Sequence, residues 1–240
     1  MRHLLLASAT TVLLATAACS AGAKENDGPT VSRSFQVGAF DGLEVAGPFD
    51  VTVSTGKAAS IRAEGPQKLI EGMEAVVERG KLVIRPQKKG WFGGMQWSGG
   101  TAKVSITVPA LTNAAVAGSG NIAIDRITAD RFEGEVAGSG DLTLGALSTK
   151  ELKLAIAGSG EVHAAGQTDR AEYSIAGSGD LDASGLTAAR AEANIAGSGN
   201  IKARVTGEAK ANIAGSGDIE ISGGAKCQSS KQGSGDIRCS

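Results

Sequence analysis

The tripeptide Gly-Ser-Gly recurs seven times at nearly even intervals in the second half of the chain. Neighbouring copies are 18 to 20 residues apart, and their central serines are Ser119, Ser139, Ser159, Ser178, Ser198, Ser216 and Ser234. A period of this length is typical of solenoids, in which every repeat forms one coil stacked on the previous coil. We therefore expect residues 111–240 to form a regular solenoid with about 18–20 residues per coil.

The segments on both sides of each Gly-Ser-Gly alternate in the manner of β-strands. The segment before it ends in a β-branched residue and Ala, as in Ile175-Ala176, and the segment after it starts as in Asp141-Leu142. Because side chains alternate across a strand, the β-branched residues should form an aliphatic column inside the coils. These residues are Val116, Val136, Ile156, Ile175, Ile195 and Ile213. The pattern predicts an all-β, single-stranded solenoid with serines at glycine-lined corners, where stacked serines can pass hydrogen bonds from coil to coil.

The preceding part, residues 32–110, is expected to form irregular β coils that cap the stack. Residues 46–53 (AGPFDVTV) match residues 137–144 (AGSGDLTL) except at the corner, so the solenoid continues toward the N-terminus. The gap of 71 residues between this echo and the first Gly-Ser-Gly leaves room for three or four elaborated coils. A short helix is expected near Pro66–Met73, because Pro suits the first helical position.

Residues 1–18 have the features of an export signal. A short basic start precedes an apolar run of small residues that is too short to span a bilayer with comfort. The run ends in Ala18-Cys19, which resembles a bacterial lipobox and predicts lipid attachment at Cys19. A plain secretory signal cleaved near Ala18 is the alternative. Residues 19–31 are small, charged and broken by Gly and Pro, which predicts a flexible tether between lipid and fold.

The three cysteines of the chain are an odd number for an exported protein. If lipid takes Cys19, then Cys227 and Cys239 remain as a pair for an oxidising compartment. A disulfide between them would hold the final coil, where fraying would otherwise begin. A pair of free thiols is the alternative.

Residues 88–100 (KKGWFGGMQWSGG) differ from the rest of the chain because they contain both tryptophans. Trp91, Phe92, Met95 and Trp97 lie among glycines. One interpretation is a long hairpin whose rings cover an end or a flank of the solenoid, since apolar rings that can be buried usually are. The other is an exposed contact site for a sugar, a lipid surface or a protein partner.

A column of acids and amides directly after the corners is the best candidate for a site. Its members are Asn121, Asp141, Glu161, Asp180, Asn200, Asp218 and Asp236. A ladder of oxygen ligands could hold Ca²⁺. We favour turn chemistry, because Asp and Asn bond to nearby backbone N–H groups in tight turns, and we predict no metal and no cofactor. His163 is interpreted as a surface residue beside Glu161.

Composition and motifs exclude several classes of protein. The formal net charge of −1 gives no electrostatic reason to expect a nucleic-acid partner. The sequence has no Ser-His-Asp set, no metal-spaced His/Cys cluster and no phosphate loop. Aromatic residues make up only 3% of the chain, so a thick globular core is not expected, whereas small side chains can stack in a narrow solenoid.

Four sequence features are shared with one known family. They are the tandem AGSGD and AGSGN repeats, FDGLEV at residues 40–45, VPAL at residues 108–111, and the closing Cys227…Gly-Ser-Gly…Cys239. Together they resemble the bacterial DUF2807 family ("putative auto-transporter adhesin, head GIN domain") over about residues 32–239. The resemblance implies a right-handed β-helical solenoid that is exported, often as a lipoprotein, with a role in adhesion. It carries no catalytic residues over to this chain.

These observations favour a non-catalytic cell-envelope solenoid, either an adhesin or a module that binds envelope polysaccharide or protein. Its lipid anchor would place it at the outer membrane, facing the periplasm or the cell surface. The first alternative is a carbohydrate-active enzyme, a polysaccharide lyase or hydrolase on a β-helix, which needs positioned acids or bases in a cleft. The second is a calcium-binding structural module.

Overall fold

A computed structural model describes residues 28–87 and 101–240. These residues are nearly all β and form a solenoid of about 6 turns, which confirms the predicted fold class. The N-terminal strands are β1 (Thr30–Phe35), β2 (Gly42–Ala46), β3 (Phe49–Thr55), β4 (Ser60–Pro66), β5 (Met73–Glu78), β6 (Lys81–Pro86), β7 (Ala102–Val108) and β8 (Asn113–Gly118). Between β4 and β5 lies the helix α1 (Gln67–Glu71), inside the predicted range.

Five long strands then each bend around a whole coil. They are β9 (Asn121–Gly138), β10 (Asp141–Gly158), β11 (Glu161–Gly177), β12 (Asp180–Gly197) and β13 (Asn200–Gly215). The last strands are β14 (Ile219–Ser222), β15 (Lys226–Gly233) and β16 (Ile237–Cys239). Neighbouring coils pair in parallel, so that Ile156 lies opposite Ile175. Equivalent residues of successive coils are therefore about 4.8 Å apart and form straight columns.

Aliphatic columns fill the interior of the coils. The predicted column of β-branched residues is inside, and each of its members is at most 3% exposed. The column continues into the N-terminal part through Val45 and Ile84, which are fully buried. Phe132 and Tyr173 are the largest side chains among the regular coils. Burial raises the pKa of Tyr173, whose hydroxyl has no hydrogen-bond partner among the described residues.

The N-terminal coils do not stack in chain order. β3 pairs directly with β9, so Asp50 lies opposite Asn121 although the two residues are 71 positions apart. On their other side, β2 and β3 pair with β6 and β7. The described residues of the intervening segment therefore add one further coil of parallel strands, fewer than the three or four for which the sequence leaves room. The chain forms the inner coil first, then the outer coil, and returns to start the regular stack.

Antiparallel strands cover the N-terminal end of the stack. β4 pairs with the outer edge of β7, and β1 pairs with β4. β5 pairs with the outer edge of β6 in the same antiparallel manner. The helix α1 buries Leu69 and Ile70 beside these strands. This arrangement supplies the irregular cap that a solenoid requires at its end.

The C-terminal coil closes the other end with polar residues and a disulfide. Lys231 lies opposite Ile213, and Ser229 lies opposite Ala211, so polar side chains replace two of the interior columns, whereas Ile237 continues the column of Ile219. The charge of Lys231, which is exposed and pairs with Asp236 at 3.6 Å, discourages edge-to-edge pairing of the exposed strand β15. Cys227 and Cys239 are joined by a disulfide with a sequence separation of 12.

Removal of this disulfide by the double substitution C227S/C239S should loosen only the last coil. A bond that closes a loop of this length stabilises the closed state by about 3 kcal/mol. Hydrogen exchange should therefore accelerate in β14, β15 and β16, while the amides of β9 and β10 keep their protection. Equal acceleration throughout the stack would show that the bond supports the whole solenoid instead.

Candidate functional site

The seven serines lie at the corners of the coils, and all of them are exposed. From Ser139 onward, their backbone N–H groups make the contact between coils, as when the N–H of Ser178 donates to the carbonyl oxygen of Gly158 at 2.8 Å. None of the seven hydroxyls, all of which the structure describes, takes part in a hydrogen bond. The expectation that stacked hydroxyls pass hydrogen bonds along the column is therefore wrong, because the backbone already makes this link.

The corner glycines permit this contact in two different ways. The first glycine of the corner, as in Gly177 with φ +135°, has a backbone conformation that residues with a Cβ rarely adopt. The second glycine is buried against the coil below, and a Cβ on Gly179 would lie 2.7 Å from Cγ2 of Ile156. The stacking geometry thus requires the two glycines of the corner.

The acids and amides after the corners form a hydrogen-bonded ladder from one coil to the next. The backbone N–H of Asn200 donates to Oδ1 of Asp180 at 3.0 Å, and that of Asp218 donates to Oδ1 of Asn200 at 3.2 Å. The backbone N–H of Asp236 likewise donates to Oδ1 of Asp218 at 2.8 Å. We predicted bonds to nearby backbone N–H groups in the turn, but these acceptors receive the N–H of the following coil. One side-chain oxygen of each of these acceptors is already used structurally.

The ladder is interrupted at Glu161, which is its only glutamate. The backbone N–H of Asp180 donates to the carbonyl oxygen of Gly160 at 3.2 Å, rather than to the carboxylate of Glu161. The longer side chain of Glu161 instead lies 3.4 Å from Nε2 of His163. His163 is exposed beside Glu161, as predicted.

A groove of about 450 Å³ runs along this ladder on the outside of the C-terminal coils. Its second row of side chains stands two residues after each ladder position, and from Asp182 onward the charges in this row alternate in sign. The row comprises His163, Asp182, Lys202, Glu220 and Arg238. The pKa of Asp182 is lowered, first by the hydrogen bond from the hydroxyl of Ser184 at 2.6 Å and also by the nearby His163 and Lys202.

The groove offers polar contacts that repeat from coil to coil. Each coil adds one acceptor from the ladder and one charged group from the second row. Such a lining can hydrogen-bond an extended polar ligand along several coils. Sequence reasoning missed the second row, although its alternating charge at the repeat period could have identified it.

Calcium is expected to leave the stability of the protein unchanged. In the described ranges, no group of three or more His, Cys, Asp or Glu has a geometry that could hold a metal ion. We therefore predict that the melting temperature is the same in EDTA and in millimolar Ca²⁺. A rise on adding Ca²⁺ that EDTA reverses would contradict this interpretation of the ladder.

Other candidate residues fall outside the part of the chain that the structure describes. These are Cys19 and the aromatic set Trp91, Phe92, Met95 and Trp97. The segment that carries the aromatic set joins β6 to β7, the two strands of the outermost parallel coil. Within the described residues, no helix has the length and apolar character needed to cross a membrane.

Solved structures of other bacterial proteins share this fold. A "putative adhesin" from Bacteroides fragilis is 24% identical with a TM-score of 0.79, over 88% of this chain and 97% of that chain. A "putative lipid binding protein" from Parabacteroides distasonis is 27% identical with a TM-score of 0.71, over 90% of this chain and 98% of the other. A "putative adhesin" from Parabacteroides merdae is 19% identical with a TM-score of 0.70, again over 90% and 98%.

No curated protein matches the chain. A protein-family match covers residues 39–225, which include β2 to β13 and thus most of the solenoid. The chain therefore belongs to the DUF2807 family, described as "Putative auto-transporter adhesin, head GIN domain".

Proposed function

We propose that the protein is a non-catalytic binding module of the cell envelope, which holds envelope polysaccharide or protein on the outside of its coils. The observation that carries this proposal is the polar groove along the ladder, whose contacts repeat from coil to coil. A repeating surface suits a repeating ligand, because successive units can make equivalent contacts. The family description as an adhesin supports the same function.

The groove favours polar ligands over apolar ones. Its walls are formed by Asp180, Asp182, Lys202 and their equivalents in neighbouring coils. The similar protein from Parabacteroides distasonis carries the name "putative lipid binding protein". A lipid tail needs an apolar lining. The aliphatic residues of this groove, Leu181, Ile201 and Ile219, are buried in the core, and its exposed side chains are polar or charged. A glycan, whose hydroxyl groups both donate and accept hydrogen bonds, fits the groove better.

The proposal is tested by binding of the purified protein to an array of bacterial glycans. We expect the wild-type protein to give a signal that D182A/K202A reduces, because this variant removes two charged groups from the groove. K210A, which changes an exposed lysine of the same strand as Lys202 but outside this groove, is the matched control and should bind like the wild type. W91A and W97A test separately whether the aromatic segment also contacts the glycan.

The same glycans distinguish a binding module from an enzyme. After prolonged incubation we expect no new reducing ends and no unsaturated products. Release of either product would identify a carbohydrate-active enzyme, and the non-catalytic proposal would then be wrong. A protein that binds no glycan but captures an envelope protein through the same groove residues would support the protein-binding form of the proposal.

We further propose attachment to the membrane through lipid on Cys19, after removal of residues 1–18. The substitution C19S removes the acceptor of the lipid, so the protein should move from the membrane fraction to the soluble fraction of lysed cells. Immunoblots of the two fractions measure this shift. Retention of C19S in the membrane fraction would contradict the anchor.

A further inference from the structure

Two columns of charged side chains run side by side along another face of the regular coils. The upstream charged column contains Arg131, Glu151, Arg170, Arg190 and Glu208. The downstream charged column lies two residues later in each coil and contains Glu133, Lys153, Glu172, Glu192 and Lys210. Residues two apart in a strand point to the same side. The two columns flank an open groove of about 480 Å³.

The two columns carry opposite charges at every one of these coils. Where the upstream residue is an arginine, the downstream residue is a glutamate, as in Arg190 and Glu192. Where the upstream residue is a glutamate, the downstream residue is a lysine, as in Glu208 and Lys210. In every one of these coils, the residue of the downstream charged column therefore has the opposite charge to the residue of the upstream charged column. This pattern extends over a length on the order of 20 Å along the solenoid.

Ion pairs within the chain explain only the first half of this pattern. Glu151 forms ion pairs with Arg131 at 3.9 Å and with Arg170 at 3.5 Å. Lys153 pairs with Glu133 at 3.1 Å. In these coils the charges alternate along each column, so neighbouring coils attract each other. Surface pairs of this kind contribute little stability individually.

The alternation fails between β11 and β12. Arg170 lies opposite Arg190, and Glu172 lies opposite Glu192. Like charges opposite one another on paired strands are destabilising. Beyond this point Arg190, Glu208 and Lys210 form no ion pair and no side-chain hydrogen bond with another residue that the structure describes. Between β12 and β13, Arg190 again lies opposite Glu208 and Glu192 opposite Lys210. None of these side chains forms an ion pair with a described residue, so this half of the pattern is left available to a partner.

We propose that two copies of this chain associate side by side through the two charged columns. The copies are related by a two-fold axis that runs parallel to the solenoid axis, between the columns. This axis places the upstream charged column of each copy opposite the downstream charged column of the other copy, at the same height. Arg190 then faces Glu192 of the second copy, and Glu208 faces Lys210 of the second copy.

The parallel arrangement places an opposite charge of the second copy against every charge in the two charged columns. An antiparallel pair with full overlap would instead place Arg170 of the two copies against each other, and likewise Glu172. A parallel pair also places both N-termini at the same end, which is compatible with two copies attached to one membrane. Because the contact is polar and narrow, the association should be weak and should weaken further as salt screens the charges.

The test is the capture of one tagged full-length copy by a differently tagged copy, co-expressed and solubilised at low salt. Wild-type copies should capture each other, and R190E should reduce recovery about tenfold, because it sets two glutamates against each other across the axis. E192R should cause the same loss by setting two arginines together. All substituted positions are exposed, so the fold is expected to persist, and the melting temperature checks this.

Two combinations of these substitutions test whether Arg190 of one copy faces Glu192 of the other. The double variant R190E/E192R restores opposite charges across the axis and should recover self-capture. Co-expression of R190E with E192R should give mixed pairs, although neither variant captures itself. K202E changes the net charge as much as R190E does but lies in the ladder groove, and it should have no effect.

Several results would overturn the proposal. This interface is excluded if wild-type copies do not capture each other, or if R190E copies capture each other as well as the wild type does. It is also excluded if the mixed pair is recovered no better than either variant alone. Absence of self-capture together with binding of a charged polysaccharide that R190E abolishes would instead assign the groove to a polymer. Because these residues lie outside the ladder groove, failure here leaves the glycan-binding result unaffected.

Discussion

The substitution I175D should unfold the regular coils. Ile175 is only 1% exposed and lies between Ile156 and Ile195 in the interior column. Aspartate would lose the apolar contacts and place an unpaired carboxylate in a narrow interior without a polar partner. The expected loss is at least about 5 kcal/mol, which is comparable to the whole stability of a typical domain. Circular dichroism and thermal melting measure the effect.

Ala176 provides the matched control for this prediction. It is the next residue in the same strand, but its side chain points outward and is exposed. A176D adds the same charge a few ångströms away and should change the stability by no more than about 0.5 kcal/mol. Similar stabilities of the two variants would mean that the alternation of inside and outside in this strand is shifted by one residue.

The substitution G199A is expected to have the second-largest effect. Gly199 is the second glycine of its corner and has an ordinary backbone conformation, so the cost arises from space. A Cβ there would contact the carbonyl oxygen of Gly179 and lie 2.9 Å from Cγ2 of Ile175. Neighbouring coils would have to move apart, at a cost of about 3 kcal/mol. For a protein of this size the melting temperature should fall by on the order of 10 °C.

Ser198 is the control for this corner. It precedes Gly199, is exposed, and contributes its backbone N–H rather than its hydroxyl to the stack. S198A should therefore leave the melting temperature unchanged within error. If S198A proved as harmful as G199A, the serine hydroxyl would have a structural role that the hydrogen-bond pattern does not include.

The regular half of the fold was predictable because its contacts follow the period of the sequence. Each coil pairs with the coil that precedes it by 18 to 20 residues, so aligning the repeats aligns the strands. The interior position of Ile175 and its equivalents follows from strand alternation alone. The exposure of His163 beside Glu161 was predictable for the same reason.

The N-terminal coils could not be ordered from the sequence. The echo at residues 46–53 correctly indicates a coil, but its neighbours come from residues more than 30 positions away. Several pairings of comparable strands satisfy the same alternation, and only packing of the whole stack selects one. The partner of each ladder residue was missed because turn chemistry describes contacts within one coil, whereas stacking brings a second backbone within reach.

The most direct test of the proposed function is the dependence of binding on ligand length. Glycans of one repeating structure and increasing length should be compared on the same array. Binding through a repeating groove predicts that affinity rises with length until the glycan spans the groove, on the order of 20 Å, and that D182A/K202A flattens this rise. An affinity that is already maximal for a single sugar unit, or that D182A/K202A leaves unchanged at every length, would contradict the account.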